Sequence, residues 1–171
     1  MAFYELDASL AQTTGPASLA DDMTNTLLPA WSEVVTGSPR LIACTAPCTE
    51  DVMVKAVAAG DPNLGGAYSN TIRDGGFTSG TPAYFVHQSL YFRIKYYDHG
   101  LANGGAGSSN DDRPLLAHEL VHTLGLGHCD TNAGMSVMCA AFSTASSELN
   151  FEGNHYWTPR PGDLQALGLL Y

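Results

Sequence analysis

Residues 118–128 read HELVHTLGLGH. His118 and His122 are four apart. On a helix that spacing places both imidazoles on one face, a turn apart, where both reach one metal ion. Glu119 follows the first histidine and points about 100° around the axis, beside the ligands rather than among them. A carboxylate there can accept a proton from water at the metal. Gly125 stands three residues after His122, where the helix must stop, and glycine accepts the left-handed backbone of such an end. The turn can bring His128 under the ion from the other side, with Leu124 and Leu126 packing into the core. Zinc takes imidazole nitrogen readily, and a catalytic site keeps three protein ligands and an open position. His118, His122 and His128 therefore read as ligands of one catalytic zinc, and Glu119 as the general base. An isolated HExxH arises by chance fairly often, whereas HExxHxxGxxH fixes five positions within 11 residues.

The flanking sequence supplies a scaffold for this helix. Asp111 or Asp112 can cap it, with Pro114 early in its first turns, giving a helix over about 113–124. Residues 98–112 and 71–82 read as loops rich in Gly and polar side chains. Residues 83–97 are aromatic and branched, as strands are, with Leu90, Phe92, Ile94 and Tyr96 alternating inward and Arg93 and Lys95 outward. Residues 40–46 and 51–58 read as short strands, and 65–70 as a further candidate. In 18–35 the apolar residues Leu19, Met23, Leu27, Trp31, Val34 and Val35 fit one helical face. Ser18 caps that helix, Asp21 and Asp22 lie in its first turn, Pro29 kinks or divides it, and Gly37 ends it. Residues 1–17 read as polar, broken at Gly15-Pro16. A last helix spans about 161–170. The order of elements predicts an α+β domain.

The chain of 171 residues is long enough for one domain with a real core. Its net charge of −10, from 7 Lys plus Arg against 17 Asp plus Glu, repels a phosphate backbone and argues against nucleic acid. Asp61, Asn63, Asp74, Asp98, Asn110, Asp111 and Asp112 lie in Gly-rich stretches where oxygen ligands could gather around calcium, although no EF-hand spacing occurs. The alternative is a solvated acidic surface. Nothing approaches the roughly 20 apolar residues of a membrane span. The four cysteines, Cys44, Cys48, Cys129 and Cys139, permit three pairings. Two short loops, Cys44–Cys48 and Cys129–Cys139, are the simplest and suit an oxidising, extracellular setting; free thiols in a cytosolic protein are the alternative. MAFYELDASL has neither a basic n-region nor an apolar h-region. For a secreted protein this implies that the export signal and any pro-segment lie outside this chain.

HELVHTLGLGH resembles the extended zinc signature of the metzincin metallopeptidases. SVM, residues 136–138, resembles their Met-turn, and the ten-residue step from His128 to Met138 looks like the matrixin branch. TPRPGDLQALGLLY, residues 158–171, is similar to the closing helix of matrixin-like catalytic domains, with Asp163 at their helix aspartate. The match is specific over 115–171 and only a loose match of element order over 18–97. It implies a small twisted, mostly parallel sheet with about three helices. The zinc cleft would lie between an upper subdomain, 1–127, and a smaller loop-rich one, 128–171. It further implies a secreted, monomeric endopeptidase acting on protein or peptide substrates, with a proteinaceous inhibitor or pro-segment as further partners. The substrate would lie along an edge strand, for which 64–70 and 83–87 are candidates. Met138 would pack beneath the ligands. Ala140, Ala141 and Phe142 would line the pocket for the side chain after the scissile bond. Tyr97 and Tyr156 are candidate oxyanion partners, packing being the commoner role of each.

Cys129 directly after His128 departs from the matrixin pattern. A Cys129–Cys139 bond would tie the third ligand's segment to the Met-turn, worth about 2–3 kcal/mol by loop closure; the alternative is a thiol that binds zinc and inhibits. His87, His99 and His155 stand in unmatched contexts, so no second, structural zinc is predicted. Two rival readings are a non-enzymatic zinc-binding module, which has no need of Glu119, and a zinc hydrolase for a non-protein amide such as a cell-wall bond.

Overall fold

The computed structural model describes residues 1–12, 19–45, 47–57, 60–64, 69–73, 88–93, 108–129, 136–139 and 157–171. Within them the chain is α+β. Five strands form one sheet: β1 (Ala2–Leu6), β2 (Leu41–Cys44), β3 (Val52–Val57), β4 (Ser69–Arg73) and β5 (Gln88–Arg93), in the order β2-β1-β3-β5-β4. The pairings β1 with β2, β1 with β3, and β3 with β5 are parallel, while β4 runs antiparallel to β5 and is the edge strand on that side among the described residues. The sheet is thus mostly parallel, as expected.

β3 shows why such a short segment holds. Val52, Val54 and Ala56 are buried, and the residues between them are partly exposed, a period of two against one packed face. β5 differs, because Ser89 is buried as well as Gln88 and Leu90. Burial of consecutive residues means that both faces of this strand are covered there. The remaining residues of the 83–97 strand reading, 83–87 and 94–97, lie outside the described residues.

Two strands correct the sequence reading. Residues 1–17 were expected to be polar, yet β1 lies inside the sheet, with Ala2 and Tyr4 fully buried. The strand is only five residues long, and both its neighbours in the sheet are distant in sequence. The loop expected over 71–82 gives way at its start to β4, which takes in Thr71, Ile72 and Arg73 together with Ser69 and Asn70 of the 65–70 strand candidate.

The first helical run consists of α1 (Leu19–Asp22), a π-helical turn (Met23–Leu27) and α2 (Leu28–Trp31). Leu19, Met23, Leu27 and Trp31 are all buried. A stripe stepping by four drifts about 40° per step around an α-helix, and a wider π turn reduces that drift. The π turn also answers Pro29, whose ring collides with the carbonyl four residues back in an α-helix. The division expected at Pro29 takes this form. The helix ends at Trp31, not at Gly37, because Ser32 is extended and its Oγ accepts the Leu41 N–H at 2.9 Å. Ser18, the expected cap, lies outside the described residues.

Gly37 has another role. Its φ is 91°, and a Cβ there would sit 2.9 Å from the Tyr171 carbonyl oxygen. Gly37→Ala is expected to cost at least about 1–2 kcal/mol for the left-handed backbone alone. A lowered midpoint of denaturant unfolding checks this; an unchanged midpoint refutes it.

α3 (Ser108–Thr123) covers one face of the sheet through Leu116, Ala117, Leu120 and Val121, all fully buried. It begins before the expected 113, so Asp111 and Asp112 lie within it and do not cap it. The polar stretch 108–112 has no apolar period to announce a helix. Two side chains fix the far end of α3 to the sheet. Thr123 Oγ1 donates to the Leu120 carbonyl at 2.6 Å, so the Tyr4 hydroxyl donates to Thr123 Oγ1 at 2.7 Å. Burial raises the Tyr4 pKa far above its ordinary value and keeps that donor protonated. Gln88 Nε2 donates to the Thr123 carbonyl at 3.0 Å.

α4 (Pro161–Leu170) starts with proline at the first helical position, and its Leu167 joins the same core as Val137, Met138 and the sheet. Disulfides join Cys44 to Cys48 and Cys129 to Cys139, the local pairing expected. Among the described residues no helix is long and apolar enough to cross a membrane.

Candidate metal centre

The glycine turn after α3 follows from its hydrogen bonds. Gly125 has φ 94°, its N–H donates to the His122 carbonyl at 3.0 Å, and Leu126 N–H reaches the Val121 carbonyl at 3.4 Å. This paired closure ends a helix on a left-handed residue. Leu124 is buried and Leu126 packs against the core, so the reversal is anchored.

The reversal brings three histidines together. His118 Nε2 lies 3.0 Å and His122 Nε2 3.1 Å from His128 Nε2. The outer nitrogens are occupied differently. His118 Nδ1–H donates to the Val137 carbonyl at 3.1 Å, and His122 Nδ1–H to the Leu126 carbonyl at 2.9 Å. Those partners assign the tautomers. Both Nε2 atoms then carry lone pairs directed at His128 Nε2. One proton on His128 could serve only one of them at a time, whereas a cation among the three serves all. For zinc at 2.0–2.1 Å in a tetrahedral site, ligand nitrogens stand roughly 3.3 Å apart, close to the separations found. Imidazoles held by backbone carbonyls on their far side are the usual outer support of metal-ligating histidine. The donor set thus fits zinc.

His118 is 2% exposed. Burial, with His122 beside it, pushes its pKa down to about 3, against the weaker upward pull of the Val137 carbonyl. Its imidazole is therefore neutral, the form that binds a metal.

Glu119 is buried, with Oε2 accepting the Thr71 hydroxyl at 2.7 Å. It stands beside the trio and not in it, as the helix angle predicted.

The segment 136–139 supports the site from below. Cys139 N–H bonds to the Ser136 carbonyl at 3.3 Å, closing a turn in which Val137 and Met138 are both buried. Cys129 N–H bonds to the Met138 carbonyl at 3.1 Å, and the Cys129–Cys139 disulfide joins the same two strands of chain. Both thiols are consumed, so the alternative of a zinc-binding cysteine does not apply to this form. Asp163 of α4 holds the turn. Its carboxylate accepts the Ser136 hydroxyl, the Val137 N–H at 3.2 Å and the Arg160 N–H at 2.9 Å. Burial raises the Asp163 pKa above the ordinary carboxylate value, and these three donors oppose the rise. A chain of contacts therefore runs from Asp163 through Val137 to His118.

Asp163→Ala would strand two buried donors, each costing about 1–3 kcal/mol. A loss of roughly 2–6 kcal/mol in unfolding free energy is expected, partly recovered by Asp163→Asn, which keeps an acceptor. Equal stability of Asp163→Ala and the parent chain would refute the anchor.

Other expected site residues divide as follows. Tyr97, Tyr156, Ala140, Ala141, Phe142, His87, His99 and His155 lie outside the described residues, as do Asp74 and Asp98. Asp61 Oδ1 accepts both the N–H and the side-chain amide of Asn63, each at 2.9 Å, so this calcium pair is bonded to itself. Asn110, Asp111 and Asp112 lie in α3 and not in a loop. Of the edge candidates, 83–87 lies outside the described residues, and 64–70 reaches only the first two residues of β4. Thr71, Val137 and Gln88 were not anticipated as supports. Thr71 fell in a stretch read as loop, and Val137 acts through its backbone, which no side-chain motif records.

Comparison of the chain with known protein families, with curated proteins and with solved structures finds no match.

Proposed function

We propose that the chain is a zinc-dependent endopeptidase of the metzincin type, closest to a matrixin-like catalytic domain. The observation that carries the reading is the convergence of the His118, His122 and His128 Nε2 atoms beside Glu119, with the Nδ1 atoms of His118 and His122 turned to carbonyls. A turn carrying Met138, held by Asp163, supports it further.

His118, His122 and His128 would hold the ion. Zinc, when bound, lowers the pKa of water towards about 7 and polarises a carbonyl. Glu119 takes a proton from the attacking water and passes it to the leaving nitrogen, acting as base and then acid. Thr71 lies on β4, the edge strand next to Glu119, so an extended peptide adding to β4 passes the base. On this reading the substrate edge is Ser69–Arg73. The disulfides agree with an extracellular protein, and we assign it that setting.

The test is a metal analysis paired with cleavage profiling against a peptide library and cell-wall fragments. One zinc per chain with peptide cleavage supports the reading. Zinc without any cleavage favours a binding module, and cleavage of wall fragments alone favours the amidase reading.

A further inference from the structure

The geometry points to Thr71 as a positioning residue that orients the Glu119 carboxylate. This rests on the peptidase reading above.

Thr71 lies opposite Leu90 in the β4–β5 register, and Leu90 is fully buried. Cross-strand partners share a face, and this one is the face that α3 covers. The Thr71 hydroxyl is 2.7 Å from Glu119 Oε2 and 3.2 Å from the Glu119 backbone carbonyl. It has one proton. The shorter contact, by half an ångström, is to the side-chain oxygen. The proton therefore goes to Oε2.

Two physical consequences follow. A glutamate side chain has three rotatable bonds, and a hydrogen bond at one oxygen removes much of that freedom before substrate arrives. Reacting groups misplaced by about 1 Å can lose rate on the order of 100-fold. The bond also couples the base to the strand along which substrate would lie. Ordering β4 and aiming the base become one event.

The experiment compares Thr71→Val and Thr71→Ser in the parent and Glu119→Ala backgrounds. Denaturant unfolding of the metal-free proteins reads the bond itself. Thr71→Val is expected to lower the folding equilibrium constant about 5- to 10-fold in the parent, and less than about twofold once Glu119 is alanine. Steady-state cleavage of a fluorogenic peptide by the zinc-loaded proteins reads the role. Thr71→Val is expected to lower kcat about 10- to 100-fold, with KM within about twofold and one zinc retained. Thr71→Ser is expected to return kcat to within about threefold. Equal stability losses in both backgrounds would show that the hydroxyl serves the backbone carbonyl, and would overturn the proposal. So would parental kcat in Thr71→Val, or a change confined to KM. If the parent cleaves no peptide, the peptidase reading and the positioning role fall together, while the unfolding cycle still decides the bond.

Discussion

Glu119→Ala is expected to lower kcat/KM by about 10²- to 10⁴-fold, the range supplied by a positioned acid–base group, while one zinc stays bound. The separation of these outcomes follows from where Glu119 sits. Its carboxylate is bonded to Thr71 on β4, and the three converging nitrogens belong to His118, His122 and His128. Removing the carboxylate leaves the donor set whole. Metal content and peptide turnover should therefore part company in this one variant. Glu119→Gln provides the near-isosteric control: it keeps shape and a hydrogen-bond acceptor but takes no proton. Full turnover in either variant would remove the proposed base. Loss of zinc from Glu119→Ala would instead place the carboxylate in the metal's support.

His128→Ala is expected to weaken zinc binding by more than about 100-fold, since loss of an outer supporting group alone costs about 10- to 100-fold. It should do so with the fold retained. His128 is exposed, past the helix, on a turn held by Gly125 and the Cys129–Cys139 bond. Its truncation opens no core cavity. His118 offers the contrast, because it is buried and its Nδ1 is tied to Val137. Zinc content after dialysis, read with circular dichroism, checks the prediction. Unchanged zinc with unchanged dichroism would end the ligand role of His128.

Much of this site was legible in eleven residues because its geometry is local. The i, i+4 histidines and the glycine stop involve contacts within a few positions, and helix periodicity places them. The supports are not local. His118 meets Val137, nineteen residues away, and Thr71 meets Glu119 across forty-eight. Tyr4 and Thr123 are 119 apart. β4 was hidden because SNTIR is short and followed by glycines, and β1 because it is only five residues long and pairs with segments far along the chain. Neither strand has a strong pattern of its own. Each is a strand because the sheet beside it offers unpaired backbone groups.

By itself, then, the sequence determined the α+β class, the helix that carries His118, Glu119 and His122 and the turn to His128, while three cysteine pairings stayed open until the structure joined Cys44 to Cys48 and Cys129 to Cys139. Only the tertiary structure decided that β1 lies inside the sheet and that β4 forms the edge beside Glu119. It alone decided that Val137 and Leu126 carbonyls set the histidine tautomers, and that Asp163 holds the turn below. The physical reason is the range of the forces involved. Backbone hydrogen bonding within a helix or turn is settled over a few residues, whereas strand pairing and buried polar contacts exist only after distant segments have packed.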